Sequence, residues 1–101
     1  MTKADSPIQI GSVTLKNRIT FAPTVKFDFT DDSGMANEKL IEHYTERAKG
    51  GCGLICVEAT AVTPGGRFYK THMGLWEDGQ IAGHKQITEG CHKYGAAVII
   101  Q

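Results

Sequence analysis

The chain has 101 residues, enough for one small domain that hides about two-thirds of its unfolded surface and has no core to spare. Eleven Lys and Arg are balanced by eleven Asp and Glu, so no net field draws it toward nucleic acid or an anionic membrane, and neither is expected as a partner. The opening residues contain no apolar leader core, and the apolar run Ala96 to Ile100 is far too short to span a bilayer. Cys52, Cys56 and Cys91 are an odd number without a dense framework, which predicts a reducing, cytoplasmic setting. The C-x3-C spacing has no second pair of Cys or His at zinc-like spacing, so these side chains are expected to be small buried hydrophobes, with no metal site.

Ile8 to Leu15 alternates apolar and polar residues around Gly11-Ser12, the pattern of a short hairpin lying outside the main sheet. Arg18 to Ala22 reads as a first strand, stopped by Pro23, which cannot donate to a ladder. Leu40, Ile41, Tyr44 and Ala48 then recur at helical spacing, with Asn37 as N-cap, Glu38 at the positive end of the dipole and Gly50-Gly51 as the stop. Gly53 to Glu58 is almost continuously apolar, as in a parallel strand covered on both faces. A long loop follows, with Thr63-Pro64-Gly65-Gly66 suited to a type II turn. A second helix is predicted from an Asp78 N-cap to Gly95, its inner side carrying Ile81, His84 or Lys85, Thr88, Cys91 and Tyr94. Ala96 to Ile100 is again uninterrupted and apolar and reads as a third buried strand. The order β-α-β-α-β predicts parallel pairing with right-handed crossovers. A doubly wound sheet and a (β/α)8 barrel both begin this way, and periodicity does not separate them.

In either fold the functional edge lies at the carboxyl ends of the strands. These ends are Ala22 to Phe27, Glu58 to Ala61, and Gln101. Small side chains around a fixed proline at Ala22-Pro23-Thr24 let the backbone approach a flat ligand. Glu58 reads as a structural acid with satisfied hydrogen bonds rather than as a general acid or base. Gln101 offers an amide donor and acceptor directly after an apolar run, better suited to a polar ring edge than to packing. Gly50-Gly51-Cys52-Gly53 precedes a strand, whereas dinucleotide fingerprints follow one, so a Rossmann fold is disfavoured. His43, His84 and His92 fall on predicted helices and are expected to be structural. His72 and Arg67 are the weak candidates of the long loop.

Several ordered motifs, taken together, resemble one known family. They are Leu15-Lys16-Asn17-Arg18-Ile19, Phe21-Ala22-Pro23, His43-Tyr44 with Arg47-Ala48-Lys49-Gly50-Gly51, and Val57-Glu58-Ala59-Thr60-Ala61-Val62. Pro64-Gly65-Gly66-Arg67, Gly74-Leu75-Trp76 and the terminal Gln101 continue the series. The chain resembles the Old Yellow Enzyme family of FMN-dependent ene-reductases over nearly its whole length. The resemblance implies that residues 1–101 are the N-terminal part of a single (β/α)8 TIM-barrel, flavin-binding domain, with three of its strands, two helices and a leading hairpin, within residues 1–17, that caps the barrel. It implies FMN as cofactor, NADH or NADPH as electron donor, and hydride transfer to an activated carbon–carbon double bond. By residue, it assigns flavin contacts to Ala22, Pro23, Thr24, Val25, Ala59 and Gln101. Val25 stands where many members carry a Thr or Cys near a flavin carbonyl, which implies a different redox tuning. The family's anion-binding His pair, its Tyr proton donor and its phosphate loops fall after Gln101, and the remainder of the barrel, or a homo-oligomer, is the expected partner beside a small-molecule substrate. The alternatives are an inert fragment that needs a partner chain, and another FMN barrel such as one acting on dihydropyrimidines.

Overall fold

Three short parallel strands form the centre of the molecule and place their carboxyl ends along one edge. The computed structural model describes residues 3–101; Met1 and Thr2, the start of the predicted leading segment, lie outside the described residues. Strands β1 (Ile8–Ile10) and β2 (Val13–Leu15) form the antiparallel hairpin, with Ile8 opposite Leu15. Gly11 takes φ +60 in its turn, a conformation costly for residues with a Cβ. Strands β3 (Thr20–Phe21), β4 (Leu54–Val57) and β5 (Ala97–Ile100) form a parallel sheet in the order β3-β4-β5. Thr20 pairs with Leu54, and Leu54 in turn with Ala97.

Helix α1 (Glu38–Lys49) starts where the Asn37 side chain accepts the Leu40 N–H at 3.1 Å, a cap that contributes about 1 kcal/mol. Helix α2 (Ile81–His92) packs on α1. Between the helices and the sheet lies the core. Leu40, Tyr44 and Ala48 from α1, Ile55 and Val57 from β4, and Ile87 and Cys91 from α2 are all 0–1% exposed, and each large apolar side chain here contributes about 1.5–3 kcal/mol by leaving water. The hairpin faces the other side of the sheet. There Ile10, Val13 and Leu15 meet Leu54, Ala97 and Ile99 around an apolar groove of about 330 Å³. Lys16 ties the hairpin down by donating to the Tyr94 carbonyl at 2.6 Å.

The Leu-Lys-Asn-Arg motif has a mechanical explanation. Asn17 Nδ2 donates to the Gly51 carbonyl at 2.6 Å while Asn17 Oδ1 accepts the Ile19 N–H at 3.0 Å, so this one side chain joins the entry of β3 to the entry of β4. It lies so close to Gly53 that a Cβ there would sit 2.7 Å from the Asn17 carbonyl oxygen, which is why a glycine precedes β4.

The structure differs from the sequence expectations in five places. Pro64–Gly66 is a 3-10 turn rather than a type II turn: after the Gly66 N–H bonds the Thr63 carbonyl at 3.0 Å, which either turn would do, the Arg67 N–H follows onto the Pro64 carbonyl at 3.5 Å and the chain continues to wind. Asp78 is not an N-cap but the first residue of a 3-10 turn, Asp78–Gln80, in which Glu77 and Gln80 cap each other's backbone. Ile81 is 51% exposed, and Ile87 takes the inward place expected of it. The outer strand is not covered on both faces, since Ile99 is 51% and Ile100 41% exposed. Cys91 is buried as expected, while Cys52 and Cys56 are half-buried. Among the described residues no helix is long and apolar enough to cross a membrane.

His43 stands edge-on to the rings of Phe21, Phe29 and Tyr44, with centroids 5.6, 5.8 and 5.1 Å away. Burial, with added repulsion from Arg47 and Lys26, holds its pKa down to about 4. An unfolded histidine titrates near 6.5, so the folded state favours the neutral ring. Its contribution to stability is therefore complete above about pH 6.5 and is lost as the pH falls toward 4. Denaturant melts at stepped pH are expected to show unfolding free energy falling through this window, with a shallower fall in His43→Leu; equal slopes in the two proteins would contradict the assignment.

Candidate functional site

Phe21 is the last residue of β3 in register, opposite Ile55, whereas β4 continues to Val57. The chain that follows, Ala22-Pro23-Thr24-Val25, thus leaves the sheet before its neighbour does and crosses the edge as free backbone. Ala22, Pro23 and Thr24 are exposed and Val25 is half-buried. The Thr24 hydroxyl is turned back onto its own segment, donating to the Ala22 carbonyl at 3.3 Å.

The end of β4 holds its neighbours. Glu58 is 1% exposed; its Oε1 accepts the Tyr44 hydroxyl at 2.8 Å and its Oε2 accepts the Lys26 N–H at 3.3 Å. The Glu58 N–H donates to the same Tyr44 hydroxyl at 2.9 Å. Burial pushes the Glu58 carboxyl above its ordinary range, and the hydrogen bonds from Tyr44 and Lys26 pull it partly back. Glu58 is thus a structural acid with both oxygens engaged. The next residue, Ala59, is half-buried, and its carbonyl accepts from His72 Nε2 at 2.6 Å; a carbonyl only accepts, so Nε2 carries the proton. Thr60 then donates its N–H to the Gln101 carbonyl at 2.9 Å, while the Gln101 N–H donates to Val57 at 3.1 Å. Gln101 is fixed through its main chain and exposed.

The long loop after β4 returns to it. Ala61 pairs with Gly74 as a parallel bridge, with the Ala61 N–H on Met73 and the Leu75 N–H on Ala61 at 2.9 and 2.8 Å. Of the two loop candidates, Arg67 is occupied with the loop itself, donating to the carbonyls of Pro64 at 3.0 Å and Asp32 at 2.9 Å and lying over the Trp76 ring at 5.0 Å. His72 is 2% exposed and holds Ala59 in place. His84 Nε2 lies 3.0 Å from the Gly74 carbonyl. Sequence reasoning missed an aromatic group on this edge: Phe27 and Tyr69 lie 4.3 Å apart, each about half exposed, and Phe68 continues the row to His72 at 4.6 Å. The only signal was the density of rings in Phe68-Tyr69 and Phe27-Asp28-Phe29.

The sheet edge therefore brings together all three predicted strand ends: a small, exposed backbone segment, a half-buried alanine, and an exposed primary amide. Three parallel strands with two crossover helices and their carboxyl ends on one edge are the start of a barrel or of a doubly wound α/β sheet. Residues 5–101 match the model of the NADH:flavin oxidoreductase / NADH oxidase family, and the chain belongs to that family. It is 40% identical over 101 residues to an NADPH dehydrogenase of Listeria welshimeri, all of this chain and 30% of that protein. It superposes on the Old Yellow Enzyme of Pichia sp. AKU4542 with a TM-score of 0.90 at 32% identity, covering 97% of this chain and 25% of that one. Morphinone reductase in complex with tetrahydroNAD gives a TM-score of 0.89 at 32% identity over 100% of this chain and 27% of that one. The fold is the N-terminal part of an Old Yellow Enzyme type (β/α)8 barrel, and the chain spans about 30% of the length of the curated relatives it matches.

Proposed function

We propose that the full-length protein binds FMN across the three strand ends and, with NADH or NADPH as donor, reduces the activated carbon–carbon double bond of an α,β-unsaturated carbonyl compound. The observation that carries this reading is the convergence of Ala22–Val25, Ala59 and Gln101 on one sheet edge, with Gln101 fixed by its backbone yet exposed. These residues fit a flavin. The Gln101 amide supplies one donor and one acceptor for the polar ring edge, the Ala22–Val25 backbone offers a flat approach, and Ala59 leaves room for the ring. FMN supplies the hydride chemistry when bound; the chain's part is to hold and orient it. Val25 brings no side-chain donor to that surface. The family match and the relatives' nicotinamide-linked names support the reading. The hairpin within residues 1–17 serves as the cap at the amino ends of the strands, and the rest of the barrel packs on the exposed outer strand. Three free thiols suit a reducing cytoplasm.

The test is to purify the full-length protein, measure its flavin content, and follow the visible band under anaerobic NADPH and then 2-cyclohexenone. Stoichiometric FMN, bleached by NADPH and restored by the enone, is expected; a protein without flavin, or a reduced flavin that the enone does not reoxidise, contradicts it. Gln101→Leu removes a ring-edge hydrogen bond of about 1 kcal/mol net, more where the ring edge is left unpaired. FMN affinity is expected to fall by about five-fold or more with the flavin potential shifted, read by fluorescence titration and by dye equilibration.

A further inference from the structure

Ala22 to Val25 leave the sheet after Phe21, beyond the reach of the β3–β4 ladder. Among the described residues the next bond to another element is the Lys26 N–H on Glu58 Oε2. Its acceptor is an unusual choice: a carboxylate, 1% exposed, at the end of an apolar strand, a group that is costly to bury unless both oxygens are paired. They are paired, one to the Tyr44 hydroxyl and the other to this backbone N–H. Tyr44 cannot turn away, because its hydroxyl also accepts the Glu58 N–H and its ring is fully buried on α1. A continuous hydrogen-bonded path thus runs from α1 through Tyr44 and Glu58 to the residue directly after Val25. The two residues following Glu58 fix the remaining strand ends, Ala59 through His72 and Thr60 through Gln101.

We infer that Glu58 is a positioning residue of the cofactor site, which fixes the 22–25 segment against the end of β4 and so sets the shape of the surface that receives the flavin. The inference rests on the flavin reading above. Glu58 does not touch the ligand itself: it is buried and neither oxygen is free. Glu58→Gln keeps the volume but offers one acceptor oxygen where two are needed, so either the Tyr44 hydroxyl or the Lys26 N–H loses its acceptor. Tyr44→Phe leaves the Lys26 bond but removes the anchor on Oε1.

The experiment uses full-length wild type, E58Q and Y44F, with three readouts: FMN dissociation constant, flavin potential, and hydrogen exchange of the peptide spanning residues 22–28. In E58Q, FMN affinity is expected to drop about ten-fold, with a shifted potential and faster exchange confined to that peptide. Y44F should move the same readouts in the same direction, by about three-fold in affinity, and it decides the matter should E58Q not fold. A folded E58Q, or in its absence Y44F, with wild-type affinity, potential and exchange overturns the inference. Wild type that binds no FMN overturns the cofactor reading instead, and unchanged exchange at residues 22–28 in the variants then overturns the tether on its own.

Discussion

Ile87→Ala is expected to lower the unfolding free energy by about 2–5 kcal/mol, while Ile81→Ala on the same helix is expected to change it by less than about 0.5 kcal/mol. Ile87 is fully buried on the inward face of α2, in the core cluster it shares with Leu40 and Tyr44 of α1, so truncation removes transfer energy and leaves a cavity in a close-packed core. Ile81 is 51% exposed at the first turn of α2 and loses little. Urea melts of the two variants in the full-length protein measure the difference directly. Equal destabilisation would mean that α2 sits on the sheet with a different face inward.

That pair of residues also shows where the sequence stopped being readable. Helix α1 was legible because Leu40, Tyr44 and Ala48 mark one face and Asn37 and Gly50 mark its ends. On α2 the polar and small residues leave a weak stripe, and which side turns inward is decided by packing on α1, not by the pattern itself. Asp78 is a good N-cap in isolation, but the pairing of Glu77 with Gln80 moves the cap one residue earlier and inserts a 3-10 turn before α2. The strands are legible in order, since continuous apolar runs bounded by Gly and Pro signal parallel strands. Whether they belong to a barrel or to a doubly wound sheet was beyond periodicity, and only the ordered motifs and the family match separated the two.

The candidate edge was legible for a topological reason. Parallel strands place their carboxyl ends together, so Ala22, Ala59 and Gln101 had to converge once three strands were accepted. The supports of that edge were not legible. Glu58 finds Tyr44 across a helix–sheet interface and Lys26 across two strand ends, and His72 finds Ala59 across a loop. No spacing along the chain encodes these pairs, although an acid in an apolar strand already required a partner. Arg67 is a loop candidate on position alone, but carbonyl oxygens of its own loop and of Asp32 claim its guanidinium.

A flat aromatic cofactor received by the strand ends would lie over Ala59. Its side chain is small and half-buried at the carboxyl end of β4, between the exposed 22–25 segment and Gln101. Ala59→Leu adds bulk there without removing the main-chain bonds to His72 and without entering the helix–sheet core. The cost to the apoprotein is expected to be small, under about 1 kcal/mol, because the site is open on one side. The cost to a ring lying over it is expected to be large, at least about 100-fold in affinity or on the order of 3 kcal/mol, since overpacking against a rigid planar ligand leaves no room for relaxation. The decisive measurement is an FMN titration of full-length wild type and Ala59→Leu, with circular dichroism confirming that both apoproteins are folded. Stoichiometric binding by wild type with binding lost in Ala59→Leu is the expected result; a folded Ala59→Leu protein that binds FMN as wild type does would contradict a flavin lying on these strand ends.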